Sequence, residues 1–240
     1  MHNPMEQFEV TRVFPIELFG YDISFTNASM MMAINLCAIF LLLFLTARKV
    51  SVIPGRTQML GECIYGLIDD MILGTAGRDA KRYMPFIFSL FIFILTCNLL
   101  GMFPFSFTVT SHIIVTFAMA IVVFIGVTII GFARHGFHYL SLFLPSGTPL
   151  AMAPLMIFTE LFAYMVRPVS LSVRLAANMT AGHIVMKVIA SFVIMAGIVG
   201  VLPFALLFAL TGFELFVAVL QAYIFTILSC VYLTDAIKLH

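Results

Sequence analysis

Arg167-Pro-Val-Ser-Leu-Ser-Val-Arg174-Leu-Ala-Ala-Asn178-Met-Thr-Ala-Gly-His183 sets two arginines, an asparagine and a histidine inside an otherwise apolar run. Leu155-Met-Ile-Phe158 precedes the stretch and Val188-Ile-Ala-Ser-Phe-Val193 follows it, so the charges interrupt a long apolar segment. Hydrophobic residues make up 62% of the 240 and charged residues 10%, and the mean hydropathy is +1.14. Soluble domains are about half apolar and about a quarter charged. A chain of this length can bury a sizeable core but not this much apolar surface, so lipid takes the excess. The composition predicts an all-α polytopic membrane protein, read as a single membrane domain.

A helix needs roughly 20 apolar residues to cross the hydrocarbon layer. Residues 28–47, 84–105 and 113–133 each satisfy this. Residues 150–198 and 204–235 exceed one simple span each, and hydropathy alone allows two long tilted helices or three short ones. Between the first two spans, Met59, Leu60, Cys63, Ile64, Leu67, Ile68, Met71 and Ile72 fall on one helical face, which predicts an amphipathic surface helix over 57–76. Its carboxylates, Glu62, Asp69 and Asp70, read as structural.

Basic flanks stay on the cytoplasmic or matrix side. Arg48, Lys49, Arg56, Arg78, Lys81 and Arg82 lie between the first two spans, and Arg134 follows the third. The pattern predicts an outer-side leader over 1–27, an inner loop from Arg48 to Arg82, a short outer loop from Ser106 to His112, and an inner carboxyl end after about five crossings. The acidic leader (Glu6, Glu9, Glu17, Asp22) is the wrong sign for a cleavable signal peptide. A net charge of +1 gives no reason to expect nucleic acid. The four cysteines have neither paired nor metal-ligand spacing and read as small buried hydrophobes; no metal or cofactor is expected.

Glu160, Arg167, Arg174, His183, Lys187 and Glu214 all fall within apolar helical stretches. An ionised group at the bilayer centre costs about 2.5–3.5 kcal/mol on insertion scales, and arginine does not escape by deprotonating. Such groups point to an ion or proton path by default. At about 100° per residue, Arg167, Arg174 and Asn178 share a face, with Glu160 close to it, whereas His183 is turned roughly 180° from Arg174 and raised about 14 Å. Gly197-Ile-Val-Gly-Val-Leu-Pro203 is the natural turn. An antiparallel hairpin folded there brings His183 level with Glu214, and Gln221 level with Asn178 near Arg174. Groups that both donate and accept, spaced for water to bridge, form the ladder a proton relay needs.

Other residues have plainer readings. Arg167 and Lys187 read as snorkelling or partnered structural charges, and Pro168 as a kink freeing the Tyr164 carbonyl. Taken alone, Asn98 and Gln221 also fit interhelical hydrogen bonding. His112, His135 and His138 fall in loops, and the 26 phenylalanines read as packing and lipid-facing surface.

The Arg167–His183 stretch resembles the signature of subunit a of the F-type ATP synthases. Glu160-Leu-Phe, Asn98-Leu-Leu-Gly-Met-Phe-Pro104, Gly212-Phe-Glu214, Gln221-Ala-Tyr223 and Tyr232-Leu-Thr-Asp-Ala-Ile237 are similar to family segments in order and spacing. The resemblance implies a proton-translocating, non-catalytic stator subunit whose last two helices are long, tilted and wrapped against a ring of c subunits. It implies Arg174 as the essential cation facing the ring and Asn178 and Gln221 as polar neighbours. His183 and Glu214 would line the outer half-channel with Asn98 nearby, and Glu160 the inner one. Partners implied are the c-ring, the peripheral stalk and other Fo subunits, and membrane lipid. Many bacterial members carry a carboxylate where His183 stands and a histidine where Glu214 stands. The reversed order here resembles mitochondrial and α-proteobacterial members, which suggests the mitochondrial inner membrane, with a bacterial plasma membrane as the alternative. Gly101 lacks the carboxylate some members carry there. No phosphate-binding loop is present, and the absence of visible paired repeats and of H-E-x-x-H argues against a self-contained transporter and an intramembrane metalloprotease.

Overall fold

The computed structural model describes residues 11–14, 17–18, 21–22, 24–48, 51–103, 107–143, 152–195 and 200–238. Among these, helices α1 (Asn27–Ala47), α2 (Arg56–Thr75), α3 (Met84–Gly101), α4 (Ile113–His135), α5 (Ala153–Met195) and α6 (Val201–Ile237) account for most of the chain. All but α2 are long and apolar enough to cross a membrane. The all-α expectation holds for the membrane body, and the choice between two long helices and three short ones falls to two, of 43 and 37 residues. Helices of that length exceed the hydrocarbon thickness and must tilt to stay within it. The leader adds short antiparallel pairings: β1 (Arg12–Phe14) with β4 (Phe25–Thr26), and β2 (Glu17–Leu18) with β3 (Tyr21–Asp22).

Thr26 starts α1 through a capping box with Ser29, satisfying donors that the first turn leaves free. Gly136, at φ 56°, stops α4 and accepts the backbone reversal that a side chain would resist. Pro203 sits in the first turn of α6, where its missing N–H leaves no helical bond unmade. Of the expected turn over 197–203, residues 197–199 lie outside the described residues, and the chain is already helical from Val201.

Helix α3 is the most enclosed span. Ile87, Phe91, Ile94, Asn98 and Gly101 repeat at three- and four-residue spacing and are buried. Helix α6 packs against it and buries Ala218, Ala222, Thr226 and Ser229, small residues that let neighbouring backbones approach closely without a hydrophobic drive from lipid. Helix α4 presents Thr116, Ala120, Val123, Val127 and Gly131 inward, and packs along α5. A Cβ on Gly131 would collide with the Tyr139 ring, so the glycine admits that ring where the segment Gly136–Phe143 folds back on α4. The amphipathic helix α2 buries Ile68, Met71 and Ile72. Its Asp69 pairs with Lys81 at 3.0 Å and its Glu62 accepts from Gln58 at 2.7 Å, in keeping with structural carboxylates.

Two cysteines, Cys97 and Cys230, are buried as expected, whereas Cys37 and Cys63 are exposed; all four are free thiols. The segment 107–112 is not a surface loop. It turns inward through a short 3-10 helix at Val109–Ser111, burying Phe107, Thr108, Val109 and Thr110.

Candidate proton-path site on the last two helices

Helix α5 has two unlike faces. Tyr164, Pro168, Leu171, Leu175, Met179 and His183 point into the bundle, while Val173, Arg174, Ala177, Asn178 and Ala181 are exposed. Arg174 thus stands on the outer surface of the helical bundle, among apolar neighbours, and makes no hydrogen bond or ion pair among the described residues. A permanent cation in such a place requires an anionic or aqueous partner beyond this chain. Phe208, Phe213 and Phe216 extend an exposed apolar surface along α6.

One turn from Arg174, the Asn178 amide donates to Gln221 Oε1 at 3.0 Å, joining α5 to α6. Beyond it, His183 Nε2 lies 3.9 Å from Glu214 Oε1. His183 is 7% exposed and Glu214 6%. These pairs stand at the levels that counting from the hairpin turn predicts. Asn98, from α3, donates to the Ala218 carbonyl at 3.1 Å, between the levels of Glu214 and Gln221 on α6. Asn98, Glu214, Gln221 and the His183 ring therefore form one polar column through an apolar bundle.

The column keeps spare hydrogen-bonding capacity. Asn98 Oδ1, both Glu214 oxygens and Gln221 Nε2 are buried with no protein hydrogen-bond partner. Buried polar atoms are nearly always satisfied, so a column of such atoms has the chemistry of a passage that water bridges. Gly182 is part of its construction: a Cβ there would stand 2.6 Å from Glu214 Oε1. Gly182→Ala should displace the carboxylate while the complex still assembles, lowering passive proton flux through the membrane sector by about tenfold, since a misplacement of about 1 Å can cost up to a hundredfold. Flux measured in vesicles under a potassium diffusion potential checks this.

Glu160 is half-buried on α5, fourteen positions before Arg174 and away from the His183–Glu214 pair. Arg167 is a structural charge, and its partner is Asp235: Nη1 to Oδ2 is 2.7 Å. Its guanidinium also lies over Tyr164 and Tyr232, at 5.4 and 5.0 Å from the ring centroids. Tyr164 in turn shares hydroxyl contacts with Thr128 at 2.6 Å and Tyr139 at 3.2 Å. The last turns of α6 are thus clamped to α5 at Arg167. Asp235→Ala leaves the half-buried Arg167 cation without its partner and should destabilise this end by about 1–2 kcal/mol, less than a fully buried pair because both side chains retain some exposure. A lower thermal midpoint of the detergent-solubilised subunit checks it.

Asp235 and Thr108, whose hydroxyl lies 3.1 Å from His183 Nε2, carried no role in the sequence. The signal for Asp235 was available, because the counting that levels His183 with Glu214 also brings Arg167 near Asp235. Thr108 had none, since a threonine in a short loop looks like any other.

The model of the ATP synthase A chain family matches residues 29–234, a span that contains α2 to α5, all but the last turn of α6 and every residue of the column. The chain belongs to the ATP synthase A chain family. It is 56% identical over 240 residues to the protein named ATP synthase subunit a of Pelagibacter ubique (strain HTCC1062), covering 99% of this chain and 98% of that one. Members of this family are non-catalytic membrane subunits, and the fold places this one in the membrane as a multi-pass protein.

Proposed function

We propose that this chain is the proton-conducting stator of the Fo sector, with two offset half-channels separated by Arg174. The observation that carries the reading is the placement of Arg174: a permanent cation on an exposed apolar face, one turn from the Asn178–Gln221 bridge and apart from the buried His183–Glu214 pair.

The mechanism follows from the charges. A proton reaches the Glu214–His183 level from the outer side, with Asn98 beside it, and passes to a carboxylate on a c-ring subunit. Only the neutral carboxyl moves cheaply into lipid. After nearly a full turn it meets the inner half-channel near Glu160 and releases its proton. The resulting carboxylate is drawn to Arg174, whose field favours the ionised form. The same guanidinium blocks direct passage between the halves, so flow requires rotation. The membrane potential contributes about 2.3 kcal/mol per proton per 100 mV, and rotation delivers it to catalytic subunits elsewhere in the complex.

The exposed faces of α5 and α6 are the surface for the c-ring. The peripheral stalk and other Fo subunits, with lipid, cover other faces. Basic flanks support an outer amino terminus and an inner carboxyl terminus. The bacterial relative favours a bacterial plasma membrane over the mitochondrial inner membrane that the His183/Glu214 order first suggested.

Vesicles holding the complete membrane sector should take up protons under a diffusion potential, and vesicles holding this chain alone should not. Solute uptake by the chain alone would favour a self-contained transporter instead.

A further inference from the structure

The inward-turning segment 107–112 delivers a hydroxyl to the centre of the site. Thr108 is 1% exposed. Its Oγ1 lies 3.1 Å from His183 Nε2 and 3.2 Å from the Gly101 carbonyl oxygen, to which it donates. A hydroxyl has one proton and two lone pairs, and a carbonyl only accepts. The reverse assignment would set two lone-pair-bearing oxygens 3.2 Å apart in a buried site with no proton between them. The proton therefore points at Gly101, and the Thr108–His183 contact is made by an Nε2–H that donates to Oγ1. A neutral imidazole protonated at Nε2 has Nδ1 as its acceptor.

The surroundings hold this contact in place. Gly101 permits it, since a Cβ there would sit 2.7 Å from Thr108 Cγ2. Thr180, one turn before His183 on α5, donates to the Ser111 carbonyl at 3.2 Å and ties the segment to the helix that carries the histidine.

We infer that Thr108 is a positioning residue that fixes His183 in the Nε2–H tautomer and keeps the Nε2 edge of the ring towards Glu214. It acts through the histidine and carries no proton in this role. The inference rests on the reading of His183 as part of the outer proton path. In metal sites, removing the partner that orients a histidine costs on the order of ten- to a hundredfold.

Nitrogen-15 NMR of the complete membrane sector, labelled at histidine and held at about pH 8.5, well above the ordinary histidine value of ~6.5, reads the tautomer directly. The His183 signals are assigned by difference from His183→Gln. Wild type and Thr108→Ser should show the Nε2–H pattern, and Thr108→Val, which keeps the shape but loses the hydroxyl, should lose its dominance. Passive proton flux should fall about tenfold in Thr108→Val and stay within about twofold of wild type in Thr108→Ser. Thr108→Ala, which removes bulk as well, carries the same two readouts should the valine variant fail to assemble. An unchanged Nε2–H tautomer in the variants without a hydroxyl overturns the inference. So does wild-type flux in those variants when His183→Gln is slow. Wild-type flux in His183→Gln itself would instead remove His183 from the path, and the tautomer result would still decide what Thr108 does.

Discussion

Arg174→Ala is expected to lower proton-driven ATP synthesis by about thirtyfold to several thousandfold, with the complex still assembled. Arg174 lies on the exposed face of α5 and makes no hydrogen bond or ion pair among the described residues, so its removal should leave the bundle intact. The loss falls on the partner: truncating one member of a desolvated charge pair costs about 2–5 kcal/mol, and each 1.4 kcal/mol is about tenfold. In the proposed mechanism, a deprotonated ring carboxylate would then have no counter-charge at the interface, and the barrier between the two half-channels would disappear. ATP synthesis by membrane vesicles, with blotting for assembled complex, checks both halves. Normal synthesis by the variant would remove the central role assigned to this residue.

Glu214→Gln is expected to slow proton passage by about a hundredfold, within the 10²–10⁴ range typical of a positioned acid–base group. Glutamine preserves the shape but has no exchangeable acid, and the site is tight enough that shape matters, as Gly182 indicates. His183→Gln acts on the same step, 3.9 Å away, so the double variant should be less impaired than the product of the single effects, as expected for groups sharing one function. Passive proton flux of the four proteins in vesicles gives the comparison. Unchanged flux in Glu214→Gln would take that carboxylate off the path.

Much of this was legible in the chain because membrane physics leaves few choices. Backbone groups in lipid must be satisfied within the helix, so an apolar run of sufficient length becomes a span. Equal counting from one turn then levels His183 with Glu214 and Asn178 with Gln221. The same rule made Arg174 conspicuous, since neither burial in water nor deprotonation was open to it. What hydropathy did not decide was whether 150–198 and 204–235 form two long helices or three short ones, because both have the same composition; the uninterrupted α5 and α6 decide it.

The polar segment 107–112 hid for the opposite reason. Its short run of Phe, Thr, Val and Ser has no period to read, and only tertiary packing shows that it turns inward to His183. Arg167 was legible as a structural charge, but its clamp to Asp235 between two tyrosines depends on how the end of α6 packs on α5. The exposure of Cys37 and Cys63 likewise follows from neighbours, because a lipid-facing thiol and a buried one occur in similar apolar strings.

The proposed function requires the exposed face of α5 carrying Arg174 to lie against the c-ring. Disulfide cross-linking tests it most directly, with single cysteines at Val173, Ala177 or Ala181 on that face, at buried Leu175 or Met179 as controls, and a partner cysteine beside the ring carboxylate. Cross-links at the three exposed positions and none at the two buried ones are expected. Cross-links absent from Val173, Ala177 and Ala181 in an assembled complex would contradict the account.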